Sequence, residues 1–127
     1  MTKYSVAILG ATGLVGQRLQ ELLWRHPLFE VEAIAGSPRN VGLMFEELEW
    51  RLDSPKPVYD ILICSMSDIP DVDIAFSALP NNVAEIVEPS LVARGIHVFS
   101  NASSFRRVAG IPLVIPEINP QAMKQYE

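Results

Sequence analysis

The sequence is poor in the features that would commit it to a membrane, a metal ion or a disulfide framework. A single cysteine, Cys64, excludes an internal disulfide and fits a reducing setting, so a cytoplasmic location is expected. No apolar stretch approaches the roughly 20 residues needed to cross a bilayer. The opening run Tyr4-Ser5-Val6-Ala7-Ile8-Leu9 is cut by Gly10 too early to serve as a secretory core. Ten basic residues against 15 acidic ones leave a net charge of -5, with no run of Lys or Arg. That balance argues against a nucleic-acid surface, while a local basic pocket for one phosphate stays open. Of the two histidines, His26 reads as a surface residue at a helix exit and His97 as packed in a strand. Neither has a carboxylate partner visible in the sequence. No set of His, Cys and carboxylates has metal-ligand spacing, so no metal is expected. The 127 residues suit one domain with one core, and no internal repeat or linker divides them.

What is present is an alternation of short apolar runs and amphipathic stretches. Val6-Ala7-Ile8-Leu9 is continuous enough for a strand covered on both faces of a parallel sheet. After it, Val15, Leu19, Leu22 and Leu23 recur at helical spacing and predict the buried face of a helix, with Gln17, Gln20 and Glu21 elsewhere on it. Pro27 should end that helix near Arg25-His26. Val31 to Ala35 predicts the second strand, and Gly36 to Gly42 a loop. The stretch 43–60 is hard to read; Phe45 to Trp50 could form a short helix. Ile61 to Cys64 and Asp73 to Leu79 predict further strands, with Asp71 and Asp73 guarding the entrance of the second. Pro80 can start a helix. Pro89 should break it, and a second helix should run to Arg94 and be capped by Gly95. Ile96 to Phe99 and Leu113 to Ile115 predict two more strands. Asn119-Pro120 opens a last helix. Strand alternating with helix predicts an α/β class with a mostly parallel sheet.

The chemistry gathers at three places. Gly10, Gly13 and Gly16 stand between the first strand and the first helix. Glycines there permit a tight turn and the approach of a pyrophosphate to free N–H groups at a helix N-terminus. A strand-to-helix turn with no ligand is the plainer alternative. With that turn, the class sharpens to a doubly wound, Rossmann-type sheet with helices on both faces. At the end of the second strand, where an acidic residue would bind a ribose 2′-hydroxyl, the sequence has Ser37 and Arg39. Glu32 lies too early to serve. A hydroxyl and a guanidinium suit a 2′-phosphate, so the expected cofactor is NADP; the alternative is a solvated Arg39. The third place is the polar loop Ser100 to Arg107 after a strand end. It suits either an anionic substrate or plain solvent. Cys64 closes an apolar run without a nearby histidine and reads as structural.

Taken together, Val6 to Gln17, Phe76-Ser77-Ala78-Leu79-Pro80, Phe99-Ser100-Asn101-Ala102-Ser103 and Pro112 to Asn119 resemble the aspartate-semialdehyde dehydrogenase family over nearly the whole chain. The resemblance implies NADPH-dependent reduction of aspartyl phosphate to aspartate semialdehyde, toward lysine, threonine and methionine, through a cysteine thioester. It places Thr12, Gly13, Leu14 and Val15 at the pyrophosphate turn and Ser37 and Arg39 at the 2′-phosphate. It also places Ser77, Leu79 and Asn101 beside the cofactor, and Arg106 on the substrate phosphate. The family's Asn-Cys-Ser/Thr nucleophile and general-base histidine lie beyond the last segment seen here. The expectation is therefore a dinucleotide-binding domain over 1–127 with no catalytic residue, inactive alone. The catalytic and dimerisation domain, through which the parent enzyme would form a homo-oligomer, is absent. Two alternatives keep the same front half: a paralogue such as a malonyl-CoA reductase or an N-acetylglutamyl-phosphate reductase, and a non-catalytic NADP sensor. The Phe99 to Ser103 motif separates the family from the second of those paralogues only.

Overall fold

The computed structural model describes residues 3–101. Strand β1 (Tyr4–Leu9) leads through the glycine turn into helix α1 (Leu14–Leu23) and then β2 (Phe29–Ala35). Two 3-10 turns follow, Pro38–Asn40 and Phe45–Glu47, and then β3 (Ile74–Ser77), helix α2 (Asn81–Ala93) and β4 (His97–Ser100). The expected strand at Leu113, the expected helix at Asn119 and Arg106 lie outside the described residues.

The four strands form one parallel sheet in the order β2-β1-β3-β4. The first crossover leaves β1 to one side and β3 pairs on the other, so the strand order reverses between β1 and β3. Alternate side chains of β1 serve opposite faces. Val6 and Ile8 join Leu19 and Leu23 of α1, while Ala7 and Leu9 join Ala84, Val87 and Leu91 of α2. The result is the expected doubly wound α/β layer, with β1 buried on both sides. Asp73 stitches the start of this layer, its Oδ2 accepting the Ser5 N–H at 2.9 Å. The polar entrance to β3 is therefore a structural tie.

Four expectations are corrected. The buried face of α1 is Gly16, Gln17, Gln20 and Leu23, while Val15 is 44% and Leu22 62% exposed. The glutamines go inside because each finds backbone partners there. Gln20 Nε2 donates to Ala11 O at 3.0 Å, and Gln17 bonds twice to a neighbouring segment. The Gln17 amide is satisfied at both ends and is cheap to bury, whereas Gln20 is bonded through Nε2 alone, its Oε1 being buried without a partner.

Pro89 does not break the second helix; α2 runs through it. A proline there removes one intrahelical bond. Burial of Ala84, Val87, Glu88 and Leu91 on either side offsets the loss. The helix ends as expected at Gly95, whose N–H donates to Val92 O while Ile96 N–H donates to Leu91 O, the paired bonds of a Schellman cap.

Ile61 to Cys64 is not a regular strand. Leu62 bridges Met44 antiparallel and Cys64 bridges Ala35 parallel, so the segment changes partner halfway along. His97 sits in β4 as expected, yet it is exposed rather than packed.

Candidate cofactor-binding site

Register aligns the four strand ends in one row: Ala35, Leu9, Ser77 and Ser100. The residue after each end is pinned to its neighbour. Gly10 N–H donates to Ala35 O, Ala78 N–H to Leu9 O, and Asn101 N–H to Ser77 O, at 3.0, 2.9 and 2.8 Å. This carboxyl edge, at the reversal between β1 and β3, is where open α/β sheets bind ligands.

The glycines divide the work. Gly10 has φ +103, a conformation that side-chained residues avoid, and a Cβ there would stand 2.7 Å from Ala78 O. A Cβ on Gly16 would sit 1.7 Å from Gly10 O, so the close approach of α1 to β1 requires its absence. Gly13 differs: a Cβ on it would meet nothing within 4 Å. It is the N-cap of α1, with no side-chain cap and no acidic residue in the first turn. Helical bonding begins with Gln17 N–H donating to Gly13 O at 2.9 Å. The amides of Gly13, Leu14, Val15 and Gly16 therefore have no partner within the helix and face outward with its positive end.

A cavity of about 680 Å³ opens here, floored by Gly10 to Gly13 and walled by Gly36 to Pro38, Ser65 to Ser67 and Ala78 to Pro80. A second, of about 450 Å³, adjoins it through Thr12 and Ser37 and is lined further by Arg39, Asn40, Leu43, Leu48, Arg51 and Glu47 and Glu49. Both lie in the range of about 300–1,000 Å³ usual for small-ligand sites. The donor set fits a dinucleotide: outward amides for a diphosphate, and a hydroxyl with guanidinium groups for a further phosphate.

The structure brings together Gly10, Thr12, Gly13, Ser37, Arg39 and Leu79 as cavity walls. Leu14, Val15 and Gly16 line neither cavity and stand beside the larger one as the first turn of α1. Ser77 is buried and its Oγ donates to Glu88 at 2.6 Å, away from the cavities. Asn101 stands at the end of the same row. Four contributors escape a reading of the sequence alone. Ser65 to Ser67 follow the strand-like run to Cys64, and the rule that ligands lie beyond carboxyl ends would have flagged them. Arg51, Gln17 and Glu88 carry no local signal. Cys64 is half-buried, and burial raises its thiol pKa, so it stays protonated at neutral pH, unlike a poised nucleophile.

Comparison with known proteins agrees with this geometry. The family described as semialdehyde dehydrogenase, NAD binding domain, matches residues 5–126. An aspartate-semialdehyde dehydrogenase of Archaeoglobus fulgidus is 44% identical over 98% of this chain and 38% of its own length. A crystal structure of aspartate semialdehyde dehydrogenase with NADP from Candida albicans superposes with a TM-score of 0.90 at 35% identity, over 97% of this chain and 36% of that one. Aspartate semialdehyde dehydrogenase II of Vibrio cholerae, complexed with ASA, gives 0.80 at 27% identity, over 99% and 36%. The chain thus spans little more than a third of the length of these relatives.

Proposed function

The chain belongs to the family of semialdehyde dehydrogenase NAD-binding domains, and from that membership we propose that it holds NADP for the reduction of aspartyl phosphate to aspartate semialdehyde in amino-acid biosynthesis. The observation that carries this reading is one juxtaposition. The uncapped start of α1, open at Gly13, lines one cavity and Arg39 lines the adjoining one, with Thr12 and Ser37 common to both. When bound, NADPH supplies the hydride.

The chain's own part is to bind and orient. The amides of Gly13 to Gly16 hold the diphosphate, with Thr12 beside them. Ser37 and Arg39 take the 2′-phosphate. Leu79 and the backbone after Ser77 wall the cavity toward β4, where Asn101 continues the row. Arg106 is assigned to the substrate phosphate. No described residue is assigned the part of nucleophile or general base.

Calorimetric titration tests the reading. NADP should bind at least about tenfold more tightly than NAD, the scale of one charge-assisted pair. Arg39→Ala should remove most of that preference while leaving NAD affinity unchanged. Equal affinities, unmoved by the substitution, contradict it.

A further inference from the structure

The cavity beside Ser37 contains a second arginine that the sequence does not announce. Arg39 comes from the 3-10 turn after β2; Arg51 comes from the end of the segment 45–51, and both line the same hollow. Arg51 is held there by a buried side chain. Gln17, 1% exposed, donates from Nε2 to Glu49 O at 2.8 Å and accepts the Arg51 N–H on Oε1 at 2.8 Å. Both halves of its carboxamide are used to fix backbone on either side of residue 50. Gln17 also stands one turn into α1, its own N–H bonded to the N-cap. Arg51 is thereby placed in a fixed relation to the diphosphate end of the helix. Lys56 braces the same segment from outside, its Nζ donating to Glu46 O at 3.0 Å.

Charge shows why one arginine is insufficient. The walls also carry Glu47 and Glu49. Glu47 is turned onto the Met44 N–H at 2.7 Å, but its charge remains. Arg39 alone would leave this hollow with net negative charge toward a dianion; Arg51 restores the balance. Two guanidinium forks from separate segments can also grip one phosphate in a set orientation, which a single solvated arginine cannot. We propose that Arg51, positioned by Gln17, is a second specificity-determining residue for the ribose 2′-phosphate. The proposal rests on the NADP reading above.

Titrating the protein with adenosine 2′,5′-bisphosphate and with 5′-AMP separates the 2′-phosphate from the rest of the ligand. Arg51→Ala should weaken the bisphosphate and NADP about tenfold and leave 5′-AMP and NAD within about twofold. Arg51→Lys should recover part of the loss. Gln17→Met, close in volume but without hydrogen bonds, should lower the same ratio while 5′-AMP still binds, a split that general loosening of the fold would not produce. If the parent protein prefers NADP and Arg51→Ala leaves that preference intact, Arg51 has no such role and the NADP reading survives. If the parent protein binds both nucleotides equally, both readings fall.

Discussion

Gly16→Ala should cost the fold a large part of its stability, whereas Gly13→Ala should spare the fold and cost the ligand. The added Cβ at 16 would overlap Gly10 O at 1.7 Å, about half an ordinary contact. Gly10 has no room to yield, because its own backbone is held at φ +103 against Ala78. Helix α1 would have to lift from β1, opening the layer in which Leu19 and Leu23 cover Val6 and Ile8. Overpacking of this kind costs about 3 kcal/mol or more. Domains have only about 5–15 kcal/mol in total, so the melting temperature should fall by about 10 °C or more, or no cooperative transition should remain. At Gly13 an added Cβ meets nothing, and the expected loss is about 1 kcal/mol or less for a poorer N-cap. That Cβ occupies the cavity floor, so NADP affinity should drop at least about tenfold, the price of displacing one charge-assisted contact. Thermal melts and nucleotide titrations of both variants check the contrast. Two variants that melt alike would show that α1 does not pack on β1 as described.

Glu88→Ala should be the other severe substitution. Glu88 is 4% exposed, and its Oε2 accepts hydrogen bonds from Ser77 Oγ at 2.6 Å and Ser100 Oγ at 2.7 Å. Those serines are register partners at the ends of β3 and β4. One carboxylate oxygen on α2 thus clasps two strands at the row that forms the site, next to the bond from Asn101 N–H to Ser77 O. Removing it strands the Ser77 hydroxyl in the interior and leaves a void. Together these cost about 3 kcal/mol. Glu88→Gln keeps an acceptor oxygen and should cost about 1 kcal/mol. In a Ser77→Ala background the Glu88→Ala penalty should shrink, since the two changes share an interaction. Denaturant unfolding of the set reads these differences. A Glu88→Ala protein within about 0.5 kcal/mol of the parent, the range of ordinary surface substitutions, would mean that the clasp contributes nothing.

What could be read in the sequence was what sterics or local bonding enforce. The glycines at 10 and 16 are compulsory at the approach of α1 to β1, so their spacing exposed the turn. The buried runs of β1 and β2 and the glycine after Arg94 carried the same kind of local constraint. What failed depended on partners far along the chain. Gln17 and Gln20 look like surface residues until Glu49, Arg51 and Ala11 supply bonds for their amides. Pro89 looks like a break until the burial around it is counted. Ile61 to Cys64 looks like a strand because apolarity cannot show that its two halves pair with different segments. Arg51 was invisible for the same reason, since a contact 34 residues away brings it to the site.

Backbone amide NMR during titration with NADP probes the receiving end of α1 most directly. The account predicts saturable shifts concentrated at Gly13, Leu14, Val15 and Gly16, with a second set at Ser37 and Arg39. Saturable binding that leaves those six amides unmoved would contradict it.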